Sequence, residues 1–274
     1  MGLFDLFLDA LIALLAVGFF GLMIRDIATL RRLITTPVGS INEAAVGEQI
    51  AVSGTASPAR SDTIDGDDSE SGVSTLSAPI TGRECLLASW EIKEFYGLEW
   101  RNGRWVTVDK DVEAIPFEVQ EGGSSLRVEP DETIAKDTFS LDLKDRHETV
   151  LSHRGDEQPP ERVAQLLDER DVREPNVSST LSGNSEWVQG DRRYYEPLVE
   201  PGDDIFLLGT VEKTHNSSLC LRLTADIDSL LTNQGRSAMI KKHVRFAIFS
   251  FIGSVGLFAY LNSKYSLWPS ALAW

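Results

Sequence analysis

Cysteine is almost missing from this chain: Cys85 and Cys220 are the only two among 274 residues. Two thiols so far apart build neither a four-cysteine zinc site nor a CxxC redox pair. The four histidines add little. His147 and His153 are six apart, a spacing that fits neither a helical ligand pair nor half of a zinc finger, and His243 sits among cations. No metal site and no cofactor are expected from them. Basic charge is also short, with 26 Lys and Arg against 42 Asp and Glu, a formal net charge of -16. The deficit is concentrated in residues 43 to 234, where 39 acidic and 18 basic side chains leave a net of -21. A surface that acidic gains nothing from counterion release on a phosphate backbone, so nucleic acid is not an expected partner. Lysine is scarce beside arginine, and heavy carboxylate loading is one way to keep a protein soluble in high salt. Catalytic signatures are missing as well. No GxSxG elbow, Walker loop or GxGxxG follows a strand at the required place, and no catalytic residue is assigned.

What the chain does have is two apolar runs at its ends. From Leu3 to Ile24 only Asp5 and Asp9 are charged, and about 20 apolar residues suffice to cross a hydrocarbon core of about 30 Å. A secretory signal peptide would carry positive charge before its apolar stretch, whereas the first charges here are negative. The second run, Phe246 to Leu261, continues into a tail in which Tyr260, Tyr265, Trp268 and Trp274 suit a membrane interface. Both runs are read as spanning a bilayer. Arg25, Arg31 and Arg32 follow the first, while Lys241, Lys242 and Arg245 precede the second. The positive-inside rule then places the region between them in the cytoplasm, with a cell-membrane location and both termini outside. Two sequons, at Asn176 and Asn216, would become glycosylation candidates under the opposite orientation.

The resulting division is a first span over 1–26, a linker over 27–42, an acidic domain over 43–234, and a second span with its tail over 235–274. Inside the domain, Ile50 and Val52 begin a strand before Gly54. A Ser-, Asp- and Gly-rich loop over 56–75 follows, whose carboxylates lack the closing Glu of a calcium loop. Leu86, Ala88, Trp90 and Ile92 then alternate with Leu87, Ser89, Glu91 and Lys93, the period of a strand with two distinct faces. Arg101 to Arg104 has hairpin-turn chemistry, and Trp105 to Val108 begins the return strand. Ile115–Val119, Leu126–Val128, Ile205–Val211 and Leu219–Leu223 are further strands, punctuated by turns at 121–123 and 201–203. Pro159 and Pro160 introduce one helix over Glu161–Asp171, which would plug or flank the strands. The expected fold is β-rich, of the α+β class. It is a small barrel in the manner of an oligonucleotide/oligosaccharide-binding (OB) fold, with one helix, between two transmembrane helices.

Phe95, Tyr96 and Trp100, with Trp90 and Trp105, crowd the hairpin with more rings than one barrel face needs, and the first three are the candidate binding residues. Pro116 and Phe117 are expected to anchor a core edge, and Gly202 and Gly209 to permit tight turns. Tyr195 and Glu196 are expected to bridge backbone groups at a strand entrance.

The order of these words carries a resemblance. Ala78-Pro79-Ile80, Gly82-Arg83-Glu84-Cys85, Pro116-Phe117, the Gly122-Gly123 turn, Val128-Glu129-Pro130, Tyr195-Glu196 and Pro201-Gly202-Asp203 resemble, over roughly residues 43 to 225, the GIDE, or besides-a-membrane (BAM), domain. That domain occurs in the MULAN/MAPL mitochondrial ubiquitin ligases and in shorter prokaryotic relatives. The resemblance implies a membrane-flanked domain, which in the ligases faces the intermembrane space, and a RING module carries their transfer activity. The two cysteines and four histidines here are too few for a RING's two zinc ions, so that activity does not carry over. Three readings follow: a membrane-tethered scaffold binding an unknown protein partner, a ubiquitin-like transfer protein whose RING comes from another chain, or an enzyme acting on lipid or a small molecule inside the barrel. The lipid bilayer is an expected partner in each, and association between copies is left open.

Overall fold

The computed structural model describes residues 3–36, 45–59, 74–97, 103–131, 143, 148–175, 187–214, 219–224 and 229–265. Two compact units divide the chain, one formed by its two ends and the other by residues 38–235.

The first unit is a pair of helices, α1 (Leu3–Thr35) and α3 (Arg236–Tyr265). Both are long and apolar enough to cross a membrane, and few of their side chains are buried. Their contacts fix an antiparallel register. Lys264 donates to both carboxylate oxygens of Asp9 at 2.7 Å, and Asp26 lies 3.1 Å from the His243 ring nitrogen. Asp9 and Asp26 stand about 25 Å apart along α1 at 1.5 Å per residue, so the two polar pairs lie near opposite ends of an apolar stretch of bilayer dimensions. Between them Phe19 meets Phe249 edge-on at 6.2 Å, and Ser254 donates to the Ala16 carbonyl at 3.5 Å. The Arg236 guanidinium donates to the carbonyls of Leu33, Ile34 and Thr36, which a helix end leaves without intrahelical donors.

The second unit holds thirteen strands and one helix among the described residues. These are β1 (Gln49–Pro58), β2 (Leu76–Ser77), β3 (Glu84–Cys85), β4 (Leu87–Tyr96), β5 (Arg104–Ala114), β6 (Phe117–Glu121), β7 (Ser124–Pro130) and β8 (Thr149–His153). After α2 (Glu161–Glu169) come β9 (Arg192–Tyr195), β10 (Leu198–Val199), β11 (Asp204–Lys213), β12 (Leu219–Leu223) and β13 (Leu230–Thr232). Five of them close a barrel in the order β1-β6-β7-β12-β11 and back to β1. All its pairings are antiparallel except β7 with β12. Counted in chain order this is 1-2-3-5-4-1 with a parallel third and fifth strand, an OB-like Greek-key barrel. Its interior is filled. Val52, Phe117, Val119, Val128, Leu207 and Leu221 are all fully buried in one cluster.

Two glycines meet this geometry differently. Gly202 has φ +95° in the turn before β11, where a side chain would be strained. Gly209 is not in a turn, as the sequence suggested, but inside β11 opposite Ile50. There β11 passes from pairing with β13 to pairing with β12, and a Cβ would meet the Leu221 side chain at 2.7 Å and the Arg222 carbonyl oxygen at 2.9 Å. Close approach of strands, not turning, demands the glycine.

The aromatic hairpin does not belong to the barrel. β4 and β5 form a side sheet with β9, β10 and β8. α2 covers this sheet, burying Val163, Leu166 and Leu167 against Ile80, Trp90, Ile92 and Tyr194. The one-barrel expectation therefore gains a second layer, and the helix serves that layer. Three smaller departures are also physical. Ala56 to Pro58 are strand residues paired with β6, so the polar loop begins later than residue 56, and 60–73 lie outside the described residues. The strand expected over Ile115–Val119 starts only at Phe117, because Pro116 has no N–H for a ladder. Pro116 itself is exposed, and Phe117 alone enters the core.

Candidate functional site

The side sheet aligns an unusual row. β9 lies between β4 and β8, with Arg192 directly opposite Glu94 on one side and His153 on the other, while Tyr194 lies between Ile92 and Leu151. Because strand side chains alternate, Glu94 continues the face of Ala88, Trp90 and Ile92. A carboxylate and a guanidinium thus stand where the pattern calls for apolar groups. Both are almost fully buried, and Arg192 donates to one Glu94 oxygen through two nitrogens at 3.0 and 2.8 Å. Its third donation, at 2.5 Å, goes to the Arg173 carbonyl beyond α2. Pairing of this quality is what allows a charge to remain inside.

His153 closes the row. It is 9% exposed, its ring stacks on Tyr194 with centroids 5.4 Å apart, and its Nδ1 has no hydrogen-bond partner. Burial holds its pKa below the ordinary value near 6.5, and the Arg192 cation lowers it further against the weaker pull of Glu157 and Asp191. The imidazole is therefore neutral near pH 7. The Tyr194 hydroxyl makes no well-aligned hydrogen bond. Burial pushes its pKa up to about 12, although the adjacent Arg192 guanidinium opposes the rise. Asp191, also buried, accepts from the backbone N–H groups of Gly155 at 3.1 Å and Val188 at 2.9 Å, so the loop after β8 is tied to the turn before β9.

Two of these residues, His153 and Arg192, reach a cleft of about 510 Å³ between that loop and α2. His153 and Arg192 line it with Leu167, Val172 and the carboxylate-bearing residues Asp156, Glu157, Asp168 and Glu174. The volume lies within the range of about 300–1,000 Å³ typical of small-ligand sites. Among the described residues no three potential ligands gather into a metal site. Neither thiol is near nucleophilic ionisation. Cys85 is pushed up to about 12, chiefly by burial and then by Glu196, Glu200 and Glu113, and Cys220 is raised mainly by burial.

The residues nominated by sequence are placed differently. Phe95 is buried, packed edge-on against Trp105 at 5.3 Å, and its ring occupies the space a side chain at 103 would need, which explains Gly103. It is a core residue, not a binding surface. Tyr96 is 40% exposed and borders a separate, smaller cleft of about 280 Å³ with Glu94 and Arg170. Trp100 lies outside the described residues. Trp105 contacts Trp187 at 5.2 Å, and the Arg193 guanidinium lies 4.3 and 4.1 Å from the two ring centroids, so this patch already holds its own cation. The Glu196 carboxylate accepts from the backbone N–H groups of Ile80 at 2.5 Å and Thr81 at 2.8 Å, while Tyr195 lies 5.0 Å beneath the Lys93 ammonium.

Sequence reasoning missed Glu94, Arg192 and His153. The signal was present: a glutamate in register with Trp90 and Ile92, and an arginine in register with Tyr194, mark charges on a buried face. Fold and site together define an OB-like barrel with a clefted side sheet, set in sequence between two long apolar helices. Comparisons with protein-family models, curated proteins and solved structures find no match to this chain.

Proposed function

We propose that this protein is a membrane-anchored interaction module of the GIDE type, in which the barrel is the frame and the side-sheet cleft receives a protein partner. The observation that carries the reading is a contrast. The barrel interior is filled with apolar side chains, whereas the cleft is open and lined by His153, Arg192 and a rim of carboxylates. A filled barrel offers no chamber for lipid or small-molecule chemistry, and buried high-pKa thiols offer no transfer nucleophile. The two apolar helices supply the anchor, and the cations beside them favour a cytoplasmic domain in a cell membrane.

Position-resolved photo-crosslinking of the full chain in its native membrane tests this. A photoreactive residue at 156 or 168, on the cleft rim, should trap one discrete protein species, and one at 121, on the barrel, should not. Equal trapping at all three positions, or none at 156 and 168, would overturn the reading.

A further inference from the structure

The two ends of the helix pair are chemically unlike. One holds a single basic side chain, Lys264, whose ammonium donates to both oxygens of Asp9 at 2.7 Å. The other carries Arg25, Arg31 and Arg32 on α1 and Lys241, Lys242 and Arg245 on α3. Because Asp26 lies beside His243, the antiparallel register gathers these six cations into one band, about 10 Å deep along the axis. Asp26 is the sole carboxylate in the stretches 25–35 and 236–245, and it faces the His243 ring. Arg25, Arg31, Lys241 and Arg245 are exposed, so the band is a collar of like charge. A collar of that sign attracts anions, and its apolar neighbours say which kind. Ile24, Ile27 and Phe246, interleaved with the cations, are 52%, 48% and 53% exposed. Inorganic phosphate or a soluble polyanion would satisfy the charges and leave these side chains in water. A phospholipid covers both at once, its phosphate on the ammonium and guanidinium groups and its acyl chains on the isoleucines and the phenylalanine. The depth of the band also fits, since a headgroup layer extends about 5–8 Å beyond the hydrocarbon core and long basic side chains reach along it.

We propose that this collar is a recognition site for anionic phospholipid headgroups, which gathers acidic lipids of one leaflet around the helix pair. The inference rests on the anchoring of the chain by its two helices and adds the class of lipid that the anchor selects.

The test reconstitutes the full chain in phosphatidylcholine vesicles doped with a spin-labelled lipid, phosphatidylglycerol in one arm and phosphatidylcholine in the other. Electron paramagnetic resonance then reads the lipid immobilised against the protein. Immobilisation should favour phosphatidylglycerol about fivefold, the weight of one surface cation acting on each headgroup. Replacing Arg31→Gln, Lys241→Gln and Arg245→Gln together should bring that preference below about twofold. The immobilised phosphatidylcholine, which reports insertion of the helices, should stay the same in this variant. An equal loss of charge in the acidic domain, by Arg104→Gln, Lys110→Gln and Arg154→Gln, should leave the preference unchanged. A preference that the collar variant removes and the domain variant keeps supports the inference. Equal immobilisation of both lipids, equal losses in both variants, or a preference that inorganic phosphate erases at matched ionic strength overturns it, while the anchoring reading stands. No immobilised lipid of either kind overturns both.

Discussion

Replacing Arg192 by methionine should be among the most damaging single changes in the side sheet. The substitution keeps most of the side-chain volume but strips Glu94 of its two charged donors, at 3.0 and 2.8 Å, in a place where both side chains are at most 3% exposed. Breaking a buried pair from one side costs about 3–5 kcal/mol, because the remaining charge can neither reach water nor find a partner. At about 2–4 °C per kcal/mol for a domain of this size, the midpoint should fall by roughly 6–20 °C. Pairing Arg192→Met with Glu94→Leu removes both charges and should restore most of that loss. About 1 kcal/mol would remain for the hydrogen bond to the Arg173 carbonyl, which neither variant replaces. The assay is thermal unfolding of wild type, both single variants and the double variant, followed by tryptophan fluorescence. The cycle should give a coupling above about 2 kcal/mol. A cost below about 1 kcal/mol for Arg192→Met, or a double variant as unstable as the sum of the singles, would refute the claim that the pair is buried and mutually dependent.

Other outcomes follow from single groups. Burial holds the His153 pKa in the fold below the unfolded value near 6.5, with Arg192 acting in the same direction and Glu157 and Asp191 against it. The unfolded chain therefore takes up a proton first, so this stabilisation is full above pH ~6.5 and is lost as pH falls through that value toward the folded pKa. His153→Phe should flatten that part of a stability-against-pH curve. With Cys85 pushed up to about 12, its thiolate fraction at pH 8 should be roughly a thousandfold below that of an ordinary thiol, so alkylation should track unfolding, and rapid labelling of the native chain would contradict its burial. Cysteines placed at Ala16 and Ser254, where the Ser254 hydroxyl lies 3.5 Å from the Ala16 backbone carbonyl, should form a disulfide within one chain, and crosslinked dimers alone would disprove the helix pairing.

The barrel was legible because its strands are short, alternating and separated by Gly-bearing turns, as at Gly122-Gly123 and Gly202. Its topology was not, since periodicity places residues on faces but does not say which strands share an edge. The Trp90 strand reads the same whether it joins a barrel or a separate sheet, and only pairing with Arg192–Tyr195 decides between them. Phe95 shows the limit from the other side. An aromatic beside a hairpin turn suggests a surface, but here the ring folds over Gly103 and is lost to solvent. Glu94 was readable in principle, because a carboxylate in step with Trp90 and Ile92 requires a cation across the sheet.

The acidity of the chain acquires a local meaning from that pair. A domain of net charge -21 attracts cations everywhere on its surface, and salt screens such attraction over about 8–10 Å at moderate ionic strength. Attraction of that kind cannot discriminate. The cleft differs because its one lining cation, Arg192, is paired with the buried Glu94, and because burial first and the Arg192 cation second hold the His153 pKa below its ordinary value. Removing Arg192 would thus act twice, leaving Glu94 as an unpaired buried charge and relieving the smaller of the two causes that lower the His153 pKa.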